Sequence, residues 1–280
     1  MEEARLFVHP FHVSLNGKST HFAVHPNGFT GTCNRRLLIA MDVTLLDFIA
    51  AGFVIALGST LQASTGFGAG LIVVPLLALI HLEFIPGPVI FASLGLSSLM
   101  TVAGRSAISR LHLHTVSLGL IIGMLIGAVS LSQLAPDHLG LIFGLLILVA
   151  VTLTAFGVNL QFTAYNSLIA GAVSGFMGMT AAMGAPVLAL LYQYEEGKTL
   201  RATLAFLFLF SSVGMLLLLH VLGRFQWHEL RLGLGLLPGI LVGYGLAARV
   251  AAHIDGGYSR AAVLIISTVS AFALIVKNLS

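Results

Sequence analysis

Apolar residues run along this chain in long blocks that no charge interrupts. Asp, Glu, Lys and Arg are absent from Phe48 to His81, Phe84 to Gly104, Leu111 to Pro136, His138 to Tyr194, Ala202 to Gly223, Leu232 to Ala248 and Ala261 to Val276. A helix that crosses a bilayer needs about 20 mostly apolar residues, so several blocks hold one crossing and the longest hold two. The pattern predicts ten apolar helical segments, at about 45–63, 67–81, 88–104, 114–135, 139–160, 164–179, 182–194, 199–222, 229–250 and 259–277. Segments two and seven are short, and almost no polar loop separates each from its predecessor. Small and polar residues fill both junctions: Ser59, Thr60, Gln62, Ser64, Thr65, Gly66, Gly68 and Gly70 at the first, Ser174, Gly175, Gly178, Thr180 and Gly184 at the second.

The two junctions correspond. A displacement of 116 residues places Gly68 on Gly184, Ala69 on Ala185 and Ser64 on Thr180. It also places Gly119, Gly123 and Gly127 on Gly235, Gly239 and Gly243, Gly140 on Gly256, and His112 on His228. The expected organisation is a first membrane repeat over 43–161 and a second over 162–280. Residues 1–42 precede them as an extra-membrane tail or a non-native extension, since Met41 opens a membrane-protein beginning, MDVTLLDFIAAGFVIALG. Five segments is an odd number, so the second repeat enters the bilayer from the opposite side. If each short segment is instead half of a re-entrant hairpin, each repeat crosses three times and the parity still inverts. The fold class expected is an all-α polytopic membrane protein with 8–10 transmembrane segments in two inverted five-segment repeats with broken or re-entrant helices. Secondary transporters commonly have that architecture.

Composition agrees with the pattern. Hydrophobic residues make up 58% of the 280 positions and charged residues 8%, against roughly a quarter charged in a soluble domain. The mean hydropathy is +1.02. The surface that would face water is missing, so the exterior faces lipid, and a multi-pass protein of the cell membrane is expected. A net charge of +3 is too small to point to nucleic acid. The single cysteine, Cys33, excludes an internal disulfide framework and a cysteine-rich metal site. His9, His12, His21 and His25 in the tail lack a carboxylate or Cys at ligand spacing, and neither metal nor cofactor is expected. Lys and Arg divide too evenly between the two faces to set an orientation.

Chemistry is sparse, and its places are few. Irregular backbone at membrane depth is tolerated only when it is buried in protein or lines a wet cavity. A helix interrupted at Ser64–Gly70 and restarting near Leu71 turns free N–H groups toward the break. The same holds at Thr180–Ala185, where Pro186 suits the first turn of a new helix. Two such helix starts facing each other would hold an anion without a buried cation. The competing reading of these glycines is close helix packing, which is the reading taken for Gly119, Gly123, Gly127, Gly235, Gly239 and Gly243. No Asp or Glu lies in the middle of an apolar segment, and no catalytic residues converge at membrane depth, so an enzyme is not expected. His112, His114 and His228 are the only candidates for such a set. Most charges sit at segment ends, where headgroup contact explains them. Arg201, just after the second break, is placed to attract or gate an anion. Met177, Met179 and Met183 read as core filler.

The stretch STGFGAGLIVVPLLALI resembles the first-half signature of the TauE/SafE sulfite-exporter family of membrane permeases. SGFMGMTAAMGAPVLALLYQ followed by GKTLRATLAFLFLFSS resembles the second-half signature, including the Lys and Arg before the next helix. That signature usually reads Gly-x-Gly-Gly-Pro, and here Ala182 and Ala185 replace two of its glycines. The resemblance implies a permease for small sulfur-containing anions (sulfite, thiosulfate or organosulfonates) working by alternating access in a lipid bilayer. Carried onto this sequence, it implies a pocket built from Ser64, Thr65, Gly66 and Gly68 in one half and Thr180, Gly184 and Pro186 in the other, supplemented by Gln62 and Arg201. The alternative is a drug/metabolite-type exporter of an uncharged or organic solute, which also has two five-helix halves. Broken helices favour the first and continuous helices the second.

Overall fold

The computed structural model describes residues 43–66, 69–133, 139–156, 160–251 and 268–269, with 14–15 and 18–19 in the tail. Two compact units partition the chain, Met1–Val43 and Thr44–Ser280. In the first, β1 (Ser14–Leu15) pairs antiparallel with β2 (Lys18–Ser19), a two-rung departure from the all-α expectation.

Every regular element among the described residues of the second unit is a helix. Its elements are α1 (Leu45–Thr65), α2 (Ala69–Ile80), α3 (Gly87–Gly104), α4 (Leu113–Gln133), α5 (Leu139–Phe156), α6 (Ala164–Ala181), α7 (Ala185–Leu191), α8 (Gly197–Val221) and α9 (Trp227–Ala251). A capping box starts α1: the Asp47 N–H donates to Thr44 Oγ1 at 3.2 Å and the Thr44 N–H donates to Asp47 Oδ2 at 2.9 Å. Among the described residues five helices are long and apolar enough to cross a membrane: α1, α3 with the 3₁₀ turn after it, α4, α8 and α9. The 8–10 crossings expected are therefore met by five here. At 1.5 Å per residue, the 12 residues of α2 and the seven of α7 are too short to cross ~30 Å of hydrocarbon. The tenth segment, 259–277, lies almost wholly outside the described residues.

The polarity of this unit is the reverse of a soluble fold. Leu45, Ile49, Phe53 and Leu57 form an exposed apolar stripe at four-residue spacing on α1, and Leu118, Ile122, Leu125 and Val129 form one at spacings of three and four on α4. Buried inside are Ser59, Thr60, Gln62, Ser64, Ser97, Ser167, Ser174, Thr180, Thr203, Ser211 and Ser212. No Asp, Glu, Lys or Arg among the described residues is buried. Apolar side chains make up the outer face, and inside it the hydroxyls of Ser59, Thr60, Ser64, Ser174, Thr180 and Ser211 donate to backbone carbonyls.

Glycines set which helices touch. On α4, a Cβ at Gly119 or Gly123 would run into the α6 backbone at Leu168 and Ala172, and on α6 one at Gly171 or Gly175 would run into α4 at Val116 and Leu120. Backbones approach this closely only where side chains are absent. The second such crossing joins α9 to α1, where a Cβ at Gly239 would sit 2.5 Å from the Gly52 carbonyl oxygen. Thr60 Oγ1 bridges it, sharing its one proton between Ala56 O at 2.8 Å and Gly243 O at 3.1 Å. The packing assignment of Gly119, Gly123, Gly235, Gly239 and Gly243 agrees with these contacts. α3 lies along α8, with Gly104 against Ala202, and Thr203 Oγ1 accepts the Ser109 N–H at 2.9 Å.

Candidate functional site

Both interruptions are present, and they fall at matching places. α1 ends at Thr65 and α6 at Ala181, while α2 begins at Ala69 and α7 at Ala185. Each pair of boundaries is separated by 116 residues, the displacement that aligns the two halves in sequence. α2 thus starts two residues earlier than Leu71. Segment seven ends as a helix at Leu191 rather than running to 194, because Tyr192 caps it and a turn follows.

The first break is closed by glycine geometry. Gly66 has φ +90° and its N–H donates to Gln62 O at 2.7 Å, an αL end that L side chains resist. Arg201, near the start of α8, lies over it: a Cβ at Gly66 would sit 2.9 Å from Arg201 Cγ. Arg201 Nη1 donates to Ser64 O at 3.2 Å. A guanidinium there satisfies an orphan carbonyl and opposes the negative end of the helix dipole. Arg201 does not line the cavity described below; it holds the helix end beside it.

The second break is closed by an αL cap without glycine. Ala182 has φ +57°, its N–H donates to Gly178 O at 2.9 Å, and the Met183 N–H donates to Met177 O at 3.3 Å. A left-handed L residue costs roughly 1–2 kcal/mol, so this end is strained where Gly66 is not. Ser174 Oγ donates to Gly184 O at 2.8 Å and ties the connection back to α6. Pro186 is in the first turn of α7, where its missing N–H is no loss.

The two breaks touch. A Cβ on Gly70 would lie 3.3 Å from Ala182 O and 3.6 Å from Met183 Cα. Between them opens a cavity of about 80 Å³. Its polar lining is Ser59 and Gln62 of α1, Ser93 of α3, Ser174 of α6, and Ser211 and Ser212 of α8. Its apolar wall includes Ile55, Val89, Ile90, Phe208, Met215 and Ile240, and no charged side chain among the described residues lines it.

Of the residues expected at the pocket, Gln62 and Gly184 line this cavity. Ser64, Thr65, Gly66, Thr180, Pro186 and Arg201 lie around it without lining it, and Gly68 is outside the described residues. The hydroxyls of Ser64 and Thr65 both donate to Leu61 O, at 3.0 and 2.7 Å, and that of Thr180 donates to Phe176 O at 2.7 Å. These three seal helix ends. Sequence reasoning assigned no role to Ser93, Ser211 or Ser212. The adjacent pair Ser211–Ser212, in the middle of an uncharged block, was the available signal, because buried hydroxyls in such a block need polar company.

The histidines lie apart. His228 is 56% exposed and its Nε2 is 3.1 Å from Glu83 Oε2, while the ring of His112 meets Phe162 edge-on at 5.4 Å. Among the described residues no three His, Cys, Asp or Glu side chains gather in a way that would hold a metal ion.

No curated protein and no solved structure matches the chain. The sequence pattern of one family, described as sulfite exporter TauE/SafE, matches residues 49–274. That span covers the cavity, both interruptions and every helix of the second unit except the first four residues of α1, and the chain belongs to the TauE/SafE family of membrane transporters.

Proposed function

We propose that this protein is a permease of the cell membrane that moves small sulfur-containing anions, such as sulfite, thiosulfate or a short organosulfonate, by alternating access. The observation that carries the reading is the cavity between two interrupted helices, with Gln62 and Gly184 on its wall. Family membership supplies the solute class.

Electrostatics favours an anion held by neutral donors. A desolvated anion needs hydrogen-bond donors, and the cavity offers the Gln62 amide and the hydroxyls of Ser93 and Ser212, while those of Ser59, Ser174 and Ser211 donate to the carbonyls of Ile55, Gly184 and Phe208. A buried cation would bind an anion more tightly, but a carrier must also release its solute. The α2 end of the first break adds the positive end of a 12-residue helix, with Gly70 on the cavity wall. Gln62 has the role of principal donor. Ser64, Thr65, Gly66, Gly68, Thr180 and Pro186 shape and seal the breaks, and Arg201 fixes the end of α1. The recurrence of helix boundaries at one displacement fits two halves of inverted topology exchanging roles around a fixed site. A drug/metabolite-type exporter is disfavoured by interruptions in both helices.

The test is flux. Purified protein in liposomes should accumulate labelled sulfite, thiosulfate or methanesulfonate under an imposed pH or sodium gradient, and Gln62→Ala should lower that flux. Movement of an uncharged metabolite with no flux of any of the three anions would refute the assignment.

A further inference from the structure

We propose that Met215 sets the size limit of the transported solute by filling, from α8, the place on α6 where a side chain is missing. The solute class named here rests on the anion-permease reading above; the steric argument rests on geometry alone.

Gly178 lines the cavity on α6, and Met215 lines it from α8. The terminal methyl of Met215 occupies the position a Cβ on Gly178 would take, and its sulfur would be 3.3 Å from that Cβ. Met215 is 5% exposed. Two helices therefore share one side-chain volume: α6 contributes none, and α8 fills it. Gly178 is also the counterpart of Gln62, because the two are separated by the 116 residues that separate the ends of α1 and α6. At equivalent points of the interrupted helices the cavity thus presents an amide on one side and a borrowed thioether on the other. The amide hydrogen-bonds the polar end of a solute. The thioether does not, and it limits how far the rest of the solute extends.

The volume makes that limit consequential. A cavity of about 80 Å³ is roughly half the ~150 Å³ of a buried cavity that accepts benzene. It suits sulfite or methanesulfonate and excludes a sulfonate with a chain of several carbons. Methionine is unbranched and turns about three bonds, so of the apolar lining it is the side chain whose truncation frees the most space beside Gly178. A pocket of this kind discriminates single methylenes by about tenfold or more.

Two readouts test this, one of them independent of transport. In liposomes, Met215→Ala should raise the flux of butanesulfonate relative to methanesulfonate about tenfold. Gly178→Ala should lower both by pressing Met215 into the cavity, and the double variant should recover methanesulfonate flux. In a Cys33→Ser, Ser212→Cys background, the labelling rate by a benzyl relative to a methyl methanethiosulfonate should rise in the same sense on Met215→Ala. Where the alanine variant does not extract as a monodisperse protein, Met215→Leu withdraws the terminal methyl, keeps the buried bulk and shifts both ratios in the same direction. Unchanged ratios in folded protein overturn the proposal. If wild-type protein moves no sulfur anion, the solute class falls, and the labelling ratio still decides the role of Met215.

Discussion

Gly184→Ala isolates the geometry of the second break. The backbone of Gly184 is right-handed, φ −73° and ψ −18°, so alanine meets no conformational penalty and the cost is steric alone. The new Cβ would lie 2.6 Å from the Ser174 carbonyl oxygen and 2.7 Å from Ser174 Oγ. The nearer atom belongs to the backbone of α6 and cannot rotate away. To reach an ordinary contact of 3.4 Å, the connection must withdraw by roughly 0.8 Å, against the hydrogen bond that holds Gly184 O to Ser174 Oγ at 2.8 Å. Overpacking of this kind costs about 1–3 kcal/mol. Because Gly184 lines the cavity, a displacement approaching 1 Å is expected to lower anion flux by on the order of 10²-fold. Ser174→Ala alone removes one hydrogen bond, worth about 1 kcal/mol, and leaves the carbonyl in place, so it should not rescue Gly184→Ala. The assay is the thermal unfolding midpoint in detergent together with initial flux in liposomes. Wild-type flux and midpoint in Gly184→Ala, or full rescue by Ser174→Ala, would refute the reasoning.

Ala182→Gly relieves a left-handed alanine and should raise stability by about 1 kcal/mol, read as a higher unfolding midpoint. Arg201→Ala removes the donor to Ser64 O; after solvent screening the loss is about 1 kcal/mol, and Arg201→Lys should recover part of the midpoint and of the flux. Gly239→Ala drives a Cβ to 2.5 Å from the Gly52 carbonyl oxygen and should cost about 2 kcal/mol, seen as a fall in yield of monodisperse protein. Gly52→Ala, on the other helix of that crossing, meets nothing within 4 Å and should be neutral or gain about 0.5–1 kcal/mol.

The sequence carried the architecture further than the site. Long uncharged blocks leave a helix at membrane depth as the only way to satisfy backbone groups, and both interruptions lie where clustered small residues weaken the helix. Packing glycines were legible as packing, because their four-residue spacing keeps them on one helix face, but not as to partner: nothing local says that Gly123 meets Ala172 or that Gly239 meets Gly52. Arg201 was legible as unusual but its partner was not, since only tertiary contact sets a cation beside one break against the Ser64 carbonyl at the end of another helix. Ser211 and Ser212 were hidden by the apolar residues around them. The length of α7 was overestimated because hydropathy continues through Leu191 while the backbone turns at Tyr192.

The two closest crossings, α4 with α6 and α1 with α9, each join a helix from before residue 161 to one from after it. The tightest helix partners are thus neighbours by contact rather than by order along the chain. A pivot at the midpoint of the sequence would have to tear both seams, so a rigid body that swings in the proposed alternating access is of mixed provenance, drawing its helices from both parts of the chain.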